Sequence, residues 1–115
     1  MSIPADRQSE IPSTTVADVP DDAVIIDVRE PNEWQAGHAP NAVHIPLGEL
    51  PGRLDDLPDT DETVAVVCRG GGRSSRAVAW LTMQGFDVAN VEGGMKAWEA
   101  SGKPLHSEHG SPFVV

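Results

Sequence analysis

Thr63-Val64-Ala65-Val66-Val67-Cys68-Arg69-Gly70-Gly71-Gly72-Arg73-Ser74-Ser75-Arg76-Ala77-Val78 carries the pattern from which the fold follows. Its first five residues form an uninterrupted, largely β-branched run. Such a run reads as a strand buried on both faces, as in a parallel sheet covered by helices on each side. Beyond the glycines, Ala77, Val78, Trp80, Leu81 and Met83 give a strongly apolar helix, with Ser74 as its predicted N-cap and Gly85 as its stop. Strand and helix are joined by Cys68 to Arg76, which holds the only cysteine and three of the eight basic residues.

The sign of the charge is locally reversed there. The chain of 115 residues carries a formal charge of -10, yet no acidic residue lies between Thr63 and Phe86. Gly70, Gly71 and Gly72 let the backbone curl with its N–H groups inward, and the following helix adds the positive end of its dipole. A cradle of this kind suits an anion. The thiolate of Cys68 is itself an anion, so inward N–H groups and the guanidiniums of Arg69 and Arg73 favour its ionised, nucleophilic form. An inert buried cysteine at the end of a strand would leave the flanking arginines unexplained.

Outward from this loop, the chain alternates strands with short helices. Residues 1–10 are polar and read as a loose N-terminal segment, followed by a domain over 11–104 and an appended tail over 105–115. A first short strand is expected within 11–16 and a buried strand over Ala23 to Val28, which brings Asp27 and Arg29 to the carboxyl end of the sheet, where α/β folds place ligands. Pro31 to Ala36 reads as a helix with proline in its first turn, and Gly37 ends it. His38 to Asn41 is a turn, 42–45 a brief strand, 47–54 a short helix interrupted at Pro51-Gly52, and 55–62 an acidic, solvated connection. Another strand over 87–91 precedes a helix through Met95 and Trp98 that stops near Gly102. The pattern is that of an α/β fold with helices on both faces of a mainly parallel sheet.

Composition excludes several functions. The acidic surface repels phosphate backbones, so nucleic acid is not an expected partner. No apolar run reaches membrane-spanning length, and the first residues match neither a signal peptide nor a transit sequence. One cysteine forbids an internal disulfide, in keeping with a reducing, cytoplasmic setting. His38, His44, His106 and His109 are spaced so that no third metal ligand gathers, and no metal site is expected.

Four stretches together resemble the rhodanese, or sulfurtransferase, family. They are Asp27-Val28-Arg29-Glu30 with Glu33-Trp34, the run Gly37-His38-Ala39-Pro40-Asn41-Ala42-Val43-His44-Ile45-Pro46, the loop from Cys68 to Ser74, and Val91-Glu92-Gly93-Gly94-Met95-Lys96-Ala97-Trp98. The resemblance covers roughly residues 11–104 and implies the single-domain form with a five-stranded sheet. It implies that Cys68 takes the outer sulfur of a donor such as thiosulfate, becomes a persulfide, releases sulfite, and passes the sulfur to a thiol or to cyanide. No metal or cofactor is implied. The N–H groups from Arg69 through Gly70, Gly71, Gly72 and Arg73 to Ser74 are implied to hold the persulfide, with Arg69 and Arg73 drawing the sulfonate end of the donor. An arginine directly after the cysteine resembles the thiosulfate-using members. Ala39 and Asn41 stand where isoleucine and glycine are more usual.

Other chemistries fit the residues less well. Phosphatases of related architecture separate cysteine and arginine by five residues, whereas four lie between Cys68 and Arg73, so the ring is smaller and better matched to one extra sulfur atom than to a phosphoryl group. Arsenate reduction wants a second, resolving thiol that the chain lacks. A non-catalytic binding module is the remaining alternative, usual where the cysteine is missing. Asp27, Arg29 and Glu33 are expected to form a charge network bracing the loop, and Trp34, Trp80 and Trp98 to pack in the core or at its rim.

Overall fold

The two uninterrupted apolar runs become neighbouring strands in the middle of the sheet. In the computed structural model, which describes residues 11–115, β1 (Ser13–Thr14), β2 (Ile25–Asp27), β3 (Val43–His44), β4 (Val64–Val67) and β5 (Val88–Val91) pair in the order β1-β5-β4-β2-β3. Every pairing among them is parallel, with Ile26 beside Val66 and Ala65 beside Ala89. The segment 1–10 lies outside the described residues. Ile25, Ile26, Val66 and Val67 are at most 1% exposed, and each contributes about 1.5–3 kcal/mol of burial on this two-sided plan.

Helices cover both faces, as the strand pattern requires. On one face Ile26, Val28, Val64, Val66 and Val88 pack with Ala77, Val78 and Leu81 of α2 (Gly72–Met83) and with Leu50 of the 3₁₀ segment Leu47–Gly52. On the other, Ile25, Ala65, Val67 and Val91 pack with Met95 and Trp98 of α3 (Gly94–Ala100), with Val19, and with Val114. Connections that run toward β1, from β3 to β4 and from β4 to β5, lie on the first face. Those that run toward β3 lie on the second, which is the arrangement right-handed crossovers impose. The crossovers therefore diverge at the carboxyl ends of β2 and β4, and that divergence opens the crevice in which α/β sheets bind ligands.

Local differences from the sequence pattern have local causes. The strands are shorter than the apolar runs that contain them. Pro51 does not interrupt the turn after β3, because 3₁₀ bonds such as Arg53 N–H to Leu50 C=O bypass its missing donor. The acidic connection opens with another 3₁₀ turn, Leu54–Asp56, clipped by Arg53 to Glu49 and Asp56. Met83, expected on the apolar face of its helix, is 81% exposed because it stands about 200° around α2 from Leu81, opposite the buried face of Ser74, Ala77, Val78 and Leu81. α1 (Pro31–Ala36) starts with a capping box between Glu30 and Glu33. Among the described residues no helix is long and apolar enough to cross a membrane.

Candidate functional site

The loop after β4 is clamped before it curls. The first turn of α3 donates two main-chain bonds to it, from Met95 N–H to Cys68 C=O at 2.8 Å and from Lys96 N–H to Arg69 C=O at 3.0 Å. Gly94 makes that approach possible: a Cβ there would stand 2.5 Å from the Cys68 oxygen and 2.7 Å from that of Arg69. With its base fixed, the loop turns at Gly71, whose φ of 112° lies in the region that glycine alone enters cheaply. The turn places the Gly71 N–H 3.0 Å from Cys68 Sγ. Gly70 and Gly72 have no positive φ, and a Cβ on either would meet nothing, so the curl needs one of the three glycines.

α2 begins at Gly72, with Gly71 at its cap, and Ser74 lies inside its first turn. Ser74 is therefore not the N-cap that the sequence pattern suggests. Its hydroxyl is fully buried and turns toward the sulfur, 3.3 Å from Cys68 Sγ, and it also meets Asn90 Oδ1 at 2.5 Å. Burial pushes the Cys68 thiol up, but the Ser74 hydroxyl and the N–H groups of Ser74, Gly71 and Gly70 outweigh it, so its pKa is lowered. One hydroxyl proton cannot serve two acceptors. An anionic sulfur competes for that proton against Asn90 Oδ1, and if the thiolate takes it an Asn90 amide turned about would present Nδ2 as donor to the Ser74 oxygen.

Across the crevice, α1 supplies the partner of the loop's second arginine. Arg73 Nη1 and Nη2 bind Glu33 Oε1 and Oε2 at 2.7 and 2.9 Å, a two-pronged pair between the element after β4 and the element after β2. The bond from Arg73, opposed by burial and helped by the Glu30 N–H, lowers the Glu33 pKa to about 2. Arg73 is correspondingly held more firmly protonated by Glu33.

Asp27 and Arg29 form a second pair that does not reach the loop. Both are fully buried, Arg29 Nε and Nη2 binding the Asp27 carboxylate at 2.8–3.1 Å while Nη2 also donates to Gly37 C=O at 2.7 Å. They hold the turn after α1. That turn is further packed by a stack in which Trp34 lies parallel to His38 and His44, with ring centres 3.6 and 4.7 Å apart. His38 Nδ1–H donates to Trp34 C=O, and His44 Nε2–H donates to Arg29 C=O. The histidines are thus spent on stacking and main-chain bonds, and among the described residues no group of three metal-binding side chains gathers.

Arg69 stands at the exposed rim, where its Nε donates to the main-chain oxygen of Val115 at 2.7 Å. The sequence pattern had pointed to Cys68, Arg69, Arg73 and Glu33 but not to Asn90 or to Val115. Asn90 carried a usable signal, since it is the one amide in an otherwise apolar strand. The approach of residue 115 to the loop carried none, because it depends on how the segment folds back.

A family model described as a rhodanese-like domain matches residues 14–101. The chain belongs to the rhodanese family. A sulfurtransferase of Allochromatium vinosum is 37% identical to it over 103 residues, which cover 89% of this chain and 94% of the relative. A rhodanese-related protein of Thermoplasma volcanium superposes with a TM-score of 0.76 at 36% identity, over 84% of this chain and 99% of that one. A thiosulfate sulfurtransferase of Pseudomonas aeruginosa superposes with a TM-score of 0.77 at 27% identity, over 96% of this chain but only 23% of that larger protein. The five-stranded parallel sheet with helices on both faces is thus the fold of rhodanese-like structures, and sulfur transfer is the chemistry of the family.

Proposed function

We propose that this rhodanese domain transfers the outer sulfur of thiosulfate, or of a similar anionic sulfane-sulfur donor, through a persulfide on Cys68. The Cys68 thiolate attacks the outer sulfur; the new S–S bond forms as the bond to the sulfonate group breaks, and sulfite leaves with the electron pair. An acceptor thiolate then attacks the terminal sulfur of the persulfide, takes it, and returns Cys68 as a thiolate. Cyanide can substitute for the thiol. No net oxidation or reduction by a third reagent is needed.

The observation that carries this proposal is the donor set around Cys68 Sγ: the Gly71 N–H at 3.0 Å and the Ser74 hydroxyl at 3.3 Å. These groups stabilise negative charge on sulfur, first on the thiolate and then on the persulfide. Arg69 and Arg73 are the cations of the loop and are assigned to the donor's sulfonate. Phosphoester hydrolysis would also need an acid to protonate the leaving alcohol. The carboxylate beside the loop, Glu33, is locked to Arg73 with its pKa near 2, and it has no proton to give at neutral pH. A lone thiol so readily ionised suits a reducing compartment such as the cytoplasm.

Incubation with thiosulfate followed by intact-mass measurement tests the proposal. The wild-type chain is expected to gain one sulfur and to lose it to a thiol or to cyanide, and Cys68→Ala to gain nothing while keeping its fold. A wild-type chain that stays unmodified would point to a binding module; sulfur transfer by Cys68→Ala would remove Cys68 from the mechanism.

A further inference from the structure

The segment 105–115 has a docking path of its own. His106 exchanges two main-chain bonds with His38, at 2.7 and 3.0 Å, and Ser107 Oγ donates to Gln35 C=O at 3.0 Å. Phe113 N–H then donates to Ala36 C=O at 3.0 Å and Val114 N–H to Glu99 Oε2 at 2.9 Å. The Val114 side chain is buried in the cluster that holds Ala39, Met95 and Trp98. At Gly37 the segment passes so close that a Cβ would lie 2.5 Å from the Phe113 oxygen and 2.8 Å from its nitrogen. The φ of Gly37 is 172°, which any residue adopts, so it is the passage of this segment that demands a glycine there. The path runs from α1 to α3 and ends on Arg69.

What it does to Arg69 follows from which nitrogen it takes. The oxygen of Val115 accepts from Nε, and among the described residues neither Nη1 nor Nη2 has a bonded partner. A long, exposed arginine on a loop samples many rotamers, and an anion that binds it must first remove that freedom. A bond at Nε removes it beforehand and leaves the outer fork of the guanidinium open, the edge that grips two oxygens of a sulfonate or carboxylate at once. Burial of Val114 and the bond to Glu99 keep the anchor in place without any help from Arg69.

We propose that residues 113–115 position Arg69 for anionic substrates, so that the segment selects for charge at the mouth of the Cys68 site. The proposal rests on the assignment of Arg69 to the donor's anionic end. Phe113, Val114 and Val115 are positioning residues that act through Arg69 and touch no reacting atom.

The test compares an anionic with a neutral thiol reagent, which reads the field at Cys68 whether or not sulfur is transferred. Iodoacetate and iodoacetamide alkylation rates are measured for the wild-type chain, for deletion of residues 112–115, and for Val114→Asp, which keeps the length but places a charge in the apolar pocket beside Glu99. The iodoacetate-to-iodoacetamide ratio is expected to fall about fivefold in both variants and not to fall further when either is combined with Arg69→Ala. The KM for thiosulfate should rise by a similar factor with kcat unchanged. An unchanged ratio, a fall that persists on top of Arg69→Ala, or a rise, which would mean that the segment masks Arg69, each overturns the proposal. If the ratio falls as expected but the wild-type chain takes no sulfur from thiosulfate, the positioning stands and the donor assignment is what fails.

Discussion

Replacing Glu33 by glutamine tests whether the ion pair across the crevice holds the domain together. Glutamine keeps the shape and still offers an oxygen to the Glu30 N–H, but removes the charge that Arg73 binds at 2.7 and 2.9 Å. A carboxylate lowered from 4.5 to about 2 corresponds to roughly 3 kcal/mol at 1.36 kcal/mol per unit. Arg73 is 30% exposed, so water screens the pair and rehydrates the freed guanidinium, which brings the expected loss nearer to about 2 kcal/mol at neutral pH. Because the folded-state pKa lies below the unfolded one, this stabilisation is fully present above 4.5 and is lost as the pH falls toward 2. Urea unfolding of both chains at about pH 7, 4 and 3 should therefore show a gap that narrows by roughly half between the first and last. A gap below about 0.5 kcal/mol at pH 7, or one that does not change with pH, would refute the coupling of α1 to the loop through this pair.

Ser74→Ala removes the hydroxyl that favours the thiolate, so the Cys68 pKa should rise and the acid limb of the sulfur-transfer profile should move to higher pH; an unmoved limb would assign the hydroxyl to Asn90 instead. Asn90→Asp should shift the limb the same way, since a carboxylate captures the hydroxyl proton and adds a like charge near the sulfur. Gly71→Ala, at a φ of 112°, should cost about 1–3 kcal/mol in thermal or urea unfolding and slow sulfur loading. Gly70→Ala, whose Cβ meets nothing, should stay within about 0.5 kcal/mol of wild type; equal effects at the two positions would show that the curl does not depend on Gly71.

What was legible in the sequence is what short-range chemistry decides. The runs Ala23 to Val28 and Thr63 to Val67 had no polar interruption until their ends, so two-sided burial and the parallel sheet followed from them. Pro31 and the acid in its first turn placed the start of α1 because both are local devices, whereas Gly37, read as its stop, has an extended φ of 172° and is required by the close passage of Phe113. The role of Ser74 was not legible, because a serine before an apolar helix looks like a cap until the turn at Gly71 caps the helix three residues earlier. The split among Asp27, Arg29 and Glu33 was equally hidden. All three belong to one motif, but Arg29 folds back on Asp27 and Gly37 while Glu33 reaches 40 residues ahead to Arg73. Which carboxylate meets which arginine is decided by the divergence of the crossovers at β2 and β4, and no spacing in the chain encodes that.

The two arginines of the loop are consequently unlike in the charge they can offer. Arg73 is paired with a carboxylate that stays ionised down to about pH 2, so across the working range it presents the sulfur with a dipole and a rigid edge more than with a net charge. Arg69 has no Asp or Glu partner among the described residues, and its Nε bonds the main-chain oxygen of Val115. The N–H groups and the Ser74 hydroxyl act over hydrogen-bond distance and are little affected by salt, whereas an exposed guanidinium is screened over about 8–10 Å at physiological ionic strength. Stabilisation of the thiolate and attraction of the donor are therefore separable. Added salt should raise the KM of an anionic donor through Arg69 while leaving the thiolate pKa of Cys68 nearly where the loop sets it. The same division bears on how a chain with a net charge of -10 would admit an anionic donor to its sulfur: what must be overcome is long-range repulsion, and Arg69, with no Asp or Glu partner among the described residues, stands at the mouth, where the approach is decided.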